Sequence, residues 1–286
     1  TGHVDITDWR GSILETDVNG IPVKVVPTFH PSYVKRMADK TARKEREAQG
    51  SVKYTYGSAR LSMVIDSKRA WEESKHQGVD RLSRELIVSP SLEQVKQYLG
   101  RANDTPSCAI CIPRGEQYWG IDSEMVDSLL RDLLWKHTGL VAQNASFDMT
   151  MMLGNGLAIR RLHMDTQIAH HFMHPELPHD LHYLVSVYTK EPYYKWRLRA
   201  AKKQEDRWLY NCLDAATTLE VAEALVLELC EFKVEKEFFG HVMPLFHTIL
   251  KMGLRGVRVD QRYKERLKHV LTYLIQRREI GCLNVL

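Results

Sequence analysis

The eight residues Val141–Asp148, Val-Ala-Gln-Asn-Ala-Ser-Phe-Asp, constrain the fold of this 286-residue chain more than any other stretch. Val141 and Ala142 are predicted to end a short strand, and the Asn144 side chain is predicted to cap the helix that follows. Asp148 lies four residues after Asn144, so both side chains would share one helix face. A carboxylate at such a strand-to-helix junction suits a hard cation such as Mg²⁺. The alternative is an ordinary acidic residue that favours the helix dipole.

A second helical pattern carries a polar pair on an otherwise apolar segment. Tyr210 and Asp214 are four residues apart, so they are predicted to share one face of a helix that continues to Leu229. Between the two patterns lie Asp-Thr at 165–166, an apolar segment at 178–188 and Pro-Tyr-Tyr-Lys at 192–195. The sequence therefore predicts that this polar pair points one way from a buried helix.

The order of these motifs resembles a known family. Asn-x-x-x-Asp, then Asp-Thr with an apolar helix, then Tyr-x-x-x-Asp is similar to the second and third motifs of the 3′–5′ exonucleases of the ribonuclease H-like, DEDD type. The proofreading domain of family A DNA polymerases is the most similar member, and the resemblance covers roughly Ser91 to Glu231. It implies an α/β fold with a ribonuclease H-like mixed sheet flanked by helices.

The resemblance also implies a reaction and a set of site residues. The reaction would be hydrolysis of a phosphodiester at a DNA 3′ end with two Mg²⁺ or Mn²⁺ ions. Asp148 and Asp214 would be metal ligands, and Tyr210 would orient the attacking water. Asn144 and Phe147 would contact the terminal nucleotide or support the site.

The first motif of the family, Asp-x-Glu on the first strand, is not found where it is expected. The stretch 100–106, ahead of a predicted strand at 107–112, contains Asp104 but no Glu two residues later. Asp-Ser-Glu at 122–124 has the required spelling, but it follows a further predicted strand at 117–121 and is predicted to cap a helix. Asp104 is therefore the candidate third ligand, and the site is expected to be incomplete and its activity impaired.

The N-terminal part shows a second resemblance. A predicted strand at Val23–Phe29 leads into His30, Pro31 and Ser32, which would place an imidazole where α/β proteins bind ligands. Together with Trp9–Ser12, this resembles the C-terminal catalytic motif of thermostable-type uracil-DNA glycosylases, whose histidine donates to the uracil oxygen. The water-activating motif and the cluster cysteines of that family are missing from this part, so a structural turn histidine is the alternative.

Three parts are predicted along the chain. Residues 1–80 would be the C-terminal part of a glycosylase-like domain, 86–231 the exonuclease domain, and 232–286 the helical lead-in to the thumb of a family A polymerase. A hydrophobic content of 44% and a charged content of 27% indicate a core-forming chain. Because Thr1 is not Met, we expect a fragment of a phage-like polymerase whose catalytic remainder lies beyond Leu286.

The net charge of the chain indicates which partners to expect, and the lack of long apolar runs indicates its cellular location. A net charge of +4 and a pI of about 8.7 are compatible with DNA, as a single-stranded 3′ end or a primer–template. No apolar run reaches the roughly 18 residues of a membrane span, and no secretion signal is seen, so a cytoplasmic protein is expected, in the host if phage-encoded. Cys108 and Cys111 have zinc-ribbon spacing without a second pair, which favours buried reduced thiols.

An alternative function from a different class is a non-catalytic DNA-binding or scaffold module of a replication protein. Its main support is the missing Asp-x-Glu motif. Metal-dependent degradation of a single strand distinguishes the two functions.

Overall fold

Two compact units, residues 1–244 and 245–286, make up the chain in the computed structural model. The structure describes residues 5–37, 55–88, 90–102, 123–201 and 203–283. The predicted α/β class is confirmed, because these residues form helices and two small sheets. Within them, no helix is long and apolar enough to cross a bilayer.

Residues 5–88 contain an antiparallel hairpin that the sequence analysis missed. Strands β1 (Leu14–Val18) and β2 (Ile21–Val25) pair with Leu14 opposite Val25. Asn19 and Gly20 both have positive φ, as the two-residue turn of such a hairpin requires. The strand predicted at Val23–Phe29 is therefore wrong in its bounds. Pro27 has no N–H to donate to a ladder, so the strand ends at Val25.

The described residues of this N-terminal part also form three helices, and the longest is capped at its start by a reciprocal pair of hydrogen bonds. The Ser58 backbone N–H donates to the Thr55 hydroxyl oxygen, and the Thr55 N–H donates to Ser58 Oγ. The helices are α1 (Ile6–Trp9), α2 (Pro31–Met37) and α3 (Tyr56–Glu73).

The strand-to-helix junction predicted at 141–148 is confirmed. Strand β3 (Leu140–Ala142) leads into the helix α6 (Ala145–Gly154). It pairs in parallel with β4 (Leu162–Asp165), which leads directly into α7 (Thr166–Met173). Both helices thus start from the carboxyl ends of neighbouring parallel strands. The strands predicted at 107–112 and 117–121 lie outside the described residues.

The remaining helices of the first unit follow the apolar periodicity of the sequence. Ser91 starts the first of them by accepting a bond from the Gln94 N–H, as predicted, but that helix runs to Ala102 rather than ending at Tyr98. The helices are α4 (Leu92–Ala102), α5 (Ser123–Lys136), α8 (Leu181–Tyr188), α9 (Trp196–Ala200), α10 (Gln204–Glu231) and α11 (Glu235–Glu237), followed by a π-helical segment at Phe238–Val242.

Helix α10 is the central element for the site, because it packs on α7, α8, α9 and β3. Its buried residues include Leu213, Val221, Leu225 and Leu229, which recur at helical spacing. Burying a leucine or valine side chain completely stabilises the fold by about 1.5–3 kcal/mol relative to leaving it exposed. The polar residues between them are therefore held in fixed positions.

Contacts cross the boundary predicted near residue 80. The Arg10 guanidinium is 1% exposed, pairs with the Asp66 carboxylate, donates to Ser186 Oγ at 3.2 Å and lies over the Tyr183 ring. Farther along, Arg84 pairs with Glu191 and Glu220 at 2.6 and 2.5 Å. The described residues within 5–88 and 123–244 therefore form one packed body, while the domain assignments on either side of residue 80 stay predictions.

The described residues of the second unit, 245–283, comprise most of one helix and the whole of another. Helix α12 (Met243–Arg255) starts just before the unit and is followed by Gly256, whose φ is +66°. Helix α13 (Gln261–Leu283) begins where the sequence predicts, with the Asp260 carboxylate accepting from the Tyr263 N–H at 3.1 Å, and it extends beyond the predicted end at Arg278.

Candidate active site

Two tyrosines bind the Asp214 carboxylate on α10. Tyr194, from the segment that precedes α9, donates its hydroxyl to Asp214 Oδ1 at 2.7 Å. Tyr210, one helical turn before Asp214, also hydrogen-bonds this carboxylate. The predicted sharing of a helix face by Tyr210 and Asp214 is therefore confirmed.

Burial dominates the electrostatics of this group. It raises the pKa of Asp214, while the two phenol hydrogen bonds and the positive charge of Lys195 lower it to a smaller extent. Burial and the Asp214 charge raise the pKa of Tyr194 and Tyr210, so both phenols remain donors at neutral pH. The ionised carboxylate is thus hydrogen-bonded but short of compensating positive charge.

The predicted residues on α6 are accessible. Asp148 lies in the first turn of α6 with its side chain exposed, and the Phe147 ring is 52% exposed. Asn144 is also exposed and immediately precedes α6. Because α10 packs on β3, the helices that carry Asp148 and Asp214 adjoin the same short strand. A metal shared by these two carboxylates stays a prediction.

The predicted capping by the Asn144 side chain is wrong. Asn144 has φ 57° and ψ 48°, in the left-handed region, and its side chain makes no cap hydrogen bond. A side-chain cap normally requires an extended N-cap residue. Instead, the Asp165 carboxylate holds the two N–H groups just before those that a side-chain cap would bind, because it accepts from the backbone N–H of Asn144 at 3.3 Å and of Ala145 at 2.7 Å.

The junction is fixed by two further side chains. Thr166 donates its hydroxyl to Gln143 Oε1, and Gln143 Nε2 donates to the His179 carbonyl at 2.8 Å. These bonds join the end of β3 to the start of α7 and to the loop before α8. The backbone that presents Asn144, Phe147 and Asp148 is therefore tied to the helices around it.

The donor set suits a divalent cation, but the described residues do not complete a site. Carboxylate oxygens such as those of Asp148 and Asp214 are the ligands that Mg²⁺ and Mn²⁺ prefer. Within the described ranges, no group of three or more His, Cys, Asp or Glu side chains is arranged to hold a metal. Asp104 and Asp122 lie outside those ranges, and Glu124 is an exposed residue in the first turn of α5, as a helix start predicts.

Comparison with known proteins agrees with the motifs. Residues 102–230 match the family model described as 3′–5′ exonuclease. The match contains all six residues predicted for the exonuclease site, including the candidate third ligand Asp104. This match agrees with the motifs and supports a 3′–5′ exonuclease domain of the DNA polymerase A type in this part of the chain.

A curated relative points the same way. The chain is 27% identical over 169 residues to the DNA polymerase I of Synechocystis sp.. The aligned stretch covers 55% of this chain and 17% of that polymerase, so the chain spans a small part of its relative's length. No solved structure matches.

The glycosylase-like motif lies outside the exonuclease match and forms a helix start. His30 is exposed, as predicted, and its Nδ1 accepts from the Ser32 N–H at 3.1 Å. Pro31 is the first residue of α2, a position that needs no N–H donor. The predicted position directly after a strand is wrong, because β2 ends at Val25. These contacts are those of a structural turn histidine.

The sequence motifs predict no role for Tyr194, which the structure places in hydrogen-bond contact with Asp214. The signal was present as an aromatic pair after Pro192, between the second and third motifs. Spacing along one helix found Tyr210, but only tertiary packing brings Tyr194 to Asp214.

Two free cysteines of the described residues lie on α10, apart from the predicted zinc-ribbon pair. Cys230 is exposed and Cys212 is half-buried. The pair at Cys108 and Cys111 lies outside the described residues, so the expectation of buried thiols there stays a prediction.

Proposed function

We propose that this chain removes nucleotides from DNA 3′ ends, as the proofreading part of a DNA-dependent DNA polymerase. The observation that carries the proposal is the Tyr210–Asp214 pair inside the matched exonuclease region, on a helix that packs against the strand leading to Asp148. A single-stranded 3′ end is the expected substrate, and the positive net charge of +4 favours a polyanion.

In this proposal Asp148 and Asp214 hold Mg²⁺ or Mn²⁺. When bound, the cations supply a water of lowered pKa and stabilise charge on the leaving 3′ oxygen. Tyr210, whose hydroxyl is protonated at neutral pH, orients the attacking water. Phe147 offers an exposed ring on which a terminal base can stack, and Asn144 lies beside it.

The site takes its third acid from the residues that precede α5, with Asp104 as the candidate. Without a Glu two residues later, the metals have fewer carboxylates to offset their lost hydration. We therefore propose weak activity with Mg²⁺ and partial recovery with Mn²⁺, which binds such oxygen sites more tightly.

The wider assignments follow from the same resemblance. A ribonuclease H-like sheet would contain β3 and β4, and the rest of a polymerase would follow Leu286. The part before residue 80 would be a glycosylase remnant without uracil release, since His30 lies in a helix-start turn. A phage source and a location in the host cytoplasm complete the proposal.

The rival function is a DNA-binding or scaffold module without catalysis. It is favoured by the absence, among the residues that the structure describes, of a group of three metal-binding side chains. Both functions predict DNA binding, so binding alone does not separate them.

The test is a titration of Mg²⁺ and Mn²⁺ against a 5′-labelled single strand, with binding to the same strand measured in EDTA. We expect a ladder of products shortened from the 3′ end that requires metal and is stronger with Mn²⁺. Binding in EDTA without shortening at any metal concentration would establish the scaffold function instead.

A further inference from the structure

The hydroxyl of Tyr194 is held from two sides beside the proposed metal ligand. It lies 2.7 Å from Asp214 Oδ1 and 3.0 Å from Thr217 Oγ1. The Thr217 hydroxyl also lies 2.8 Å from the Leu213 carbonyl oxygen, one turn back along α10, so its one proton is shared between the phenol oxygen and that carbonyl. Because an ionised carboxylate can only accept, the Tyr194 proton is donated to Asp214.

The ring of Tyr194 is as firmly placed as its hydroxyl. The residue is 5% exposed, and its ring packs against that of Tyr210 with centroids 5.7 Å apart. Because it comes from the segment before α9, its bond ties α10 to a separate part of the chain. A tyrosine side chain has only two rotatable bonds, so burial of the ring fixes the direction of the phenol.

Tyr210 bonds the same carboxylate from within α10. Its expected task in the reaction is to orient water, and for that task its hydroxyl must turn from Asp214 toward the substrate. A carboxylate held by Tyr210 alone would then lose its support at the moment when it is needed. A second phenol that stays in place removes this conflict.

We propose that Tyr194 is the positioning residue that holds the Asp214 carboxylate ready for metal, leaving Tyr210 free to serve the water. This inference rests on the proposed function, in which Asp214 is a metal ligand. Groups that orient metal ligands without binding the metal themselves typically change metal affinity or activity by about 10–100-fold when they are removed. The loss of the Tyr194 hydroxyl should therefore weaken metal binding itself.

The chain offers a matched control on the same helix. Tyr188 donates its hydroxyl to Glu228 Oε2 at 2.5 Å, so it is also a phenol bonded to a carboxylate of α10. Glu228 pairs with His174 rather than belonging to the proposed site. Tyr188→Phe removes the same chemical group as Tyr194→Phe, but away from Asp214.

The experiment measures Mn²⁺ binding without DNA by electron paramagnetic resonance, and the Mg²⁺ dependence of single-strand digestion. Tyr194→Phe is expected to raise the Mn²⁺ Kd and the half-saturating Mg²⁺ concentration by about tenfold, with a maximal rate within about threefold of wild type. Tyr210→Phe should lower the maximal rate and leave the Mn²⁺ Kd within about threefold, and Tyr188→Phe should change neither quantity.

An unchanged Mn²⁺ Kd in Tyr194→Phe, or an equal rise in Tyr188→Phe, would overturn the inference.

A second variant is available if Tyr194→Phe fails to fold. Thr217→Val leaves the Tyr194 side chain intact and removes the Thr217 hydroxyl that contacts the Tyr194 phenol oxygen. It should raise the Mn²⁺ Kd by about threefold, and no rise would overturn the inference. Asp214→Ala distinguishes a failure of this inference from a failure of the proposed function. If Asp214→Ala loses Mn²⁺ binding but Tyr194→Phe has no effect, only the inference about Tyr194 is wrong. If Asp214→Ala leaves both Mn²⁺ binding and digestion unchanged, the proposed function is wrong as well.

Discussion

Asp165 shows how one buried side chain sets the geometry of the whole junction. Its carboxylate accepts from Asn144 and Ala145 at the start of α6, and from Gln167 and Ile168 at the start of α7, at 2.7–3.3 Å. Burial raises its pKa, and these four backbone bonds oppose that shift. Two helix starts, one of which precedes Asp148, thus depend on a single carboxylate.

Asp165→Ala is expected to lower the free energy of unfolding by about 2–4 kcal/mol, because buried N–H groups at two helix starts lose their acceptor. Asp180→Ala is the matched control, since Asp180 caps one helix through one bond to the Tyr183 N–H at 3.2 Å. It should cost about 1 kcal/mol. Urea unfolding followed by circular dichroism measures both, and equal costs would show that Asp165 is an ordinary cap.

Asn144 allows backbone and side-chain roles to be separated. Because its φ is 57°, glycine fits its conformation better than any other residue. Asn144→Gly should leave the unfolding free energy within about 0.5 kcal/mol of wild type or raise it, whereas Asn144→Ala should lower it by about 1 kcal/mol. If the amide contacts the terminal nucleotide, Asn144→Gly should weaken binding of a single strand; unchanged affinity limits Asn144 to a turn residue.

At the scale of elements, a histidine cluster joins α7 to the loop before α8 and to α10. His170 and His171 of α7 lie 2.8 and 2.9 Å from the two ring nitrogens of His179. His174, at the end of α7, pairs with Glu228 of α10 at 2.9 Å. The His170 ring is fully buried, and its neighbours also include the rings of Tyr183 and Tyr188.

This cluster makes stability depend on pH. Burial, followed by the charges of the neighbouring histidines, lowers the pKa of His170 to about 3. The folded state therefore binds fewer protons than the unfolded state below about pH 6.5, so the free energy of unfolding falls as the pH drops through that value. His179 shifts in the same direction. Above about pH 7 the contribution of His170 is fully present.

We expect His170 to lower the free energy of unfolding by about 1.7 kcal/mol between pH 6.5 and pH 5, and His170→Gln to show a visibly flatter dependence of that free energy on pH. His76→Gln, which changes an exposed histidine, should keep the wild-type slope. Urea midpoints at half-unit pH steps give the profile. An identical slope in His170→Gln would show that the buried ring does not control acid unfolding.

Local patterns were sufficient for part of the fold. The β3–α6 junction, the cap at Ser91, and the Tyr210–Asp214 face all depend on residues within a few positions of each other, and all are confirmed. The predicted side-chain cap at Asn144 is wrong because Asn144 has a left-handed backbone, held in place by a distant carboxylate, Asp165, that binds the N–H groups of Asn144 and Ala145. The role of Tyr194 escaped because a tertiary bond over 20 positions leaves no periodic signal.

At the scale of the whole molecule, buried polar contacts unite residues on both sides of the boundary predicted near position 80. Arg10 is enclosed by Asp66 of α3 and by Ser186 and Tyr183 of α8. Removing one partner of a buried ion pair leaves the other uncompensated. The first unit should therefore unfold in one transition.

Arg10→Ala is expected to lower the free energy of unfolding by about 3–5 kcal/mol, because the Asp66 charge stays buried without its partner. Arg60→Ala, which truncates an exposed arginine of α3, should change it by no more than about 0.5 kcal/mol. Tryptophan fluorescence and circular dichroism should report coincident transitions in urea. Separate transitions would mean that the N-terminal residues fold independently of the exonuclease region.

The central claim is that Asp148 and Asp214 serve one metal-dependent exonuclease site. Single-turnover digestion of a 5′-labelled single strand, compared between wild type, Asp148→Ala, Asp214→Ala and the double variant, tests it most directly. Residues that act as a unit are not additive. We predict that each single change abolishes metal-dependent shortening from the 3′ end, that the double variant is no slower, and that DNA binding in EDTA persists. Brisk digestion by either single variant would contradict the claim.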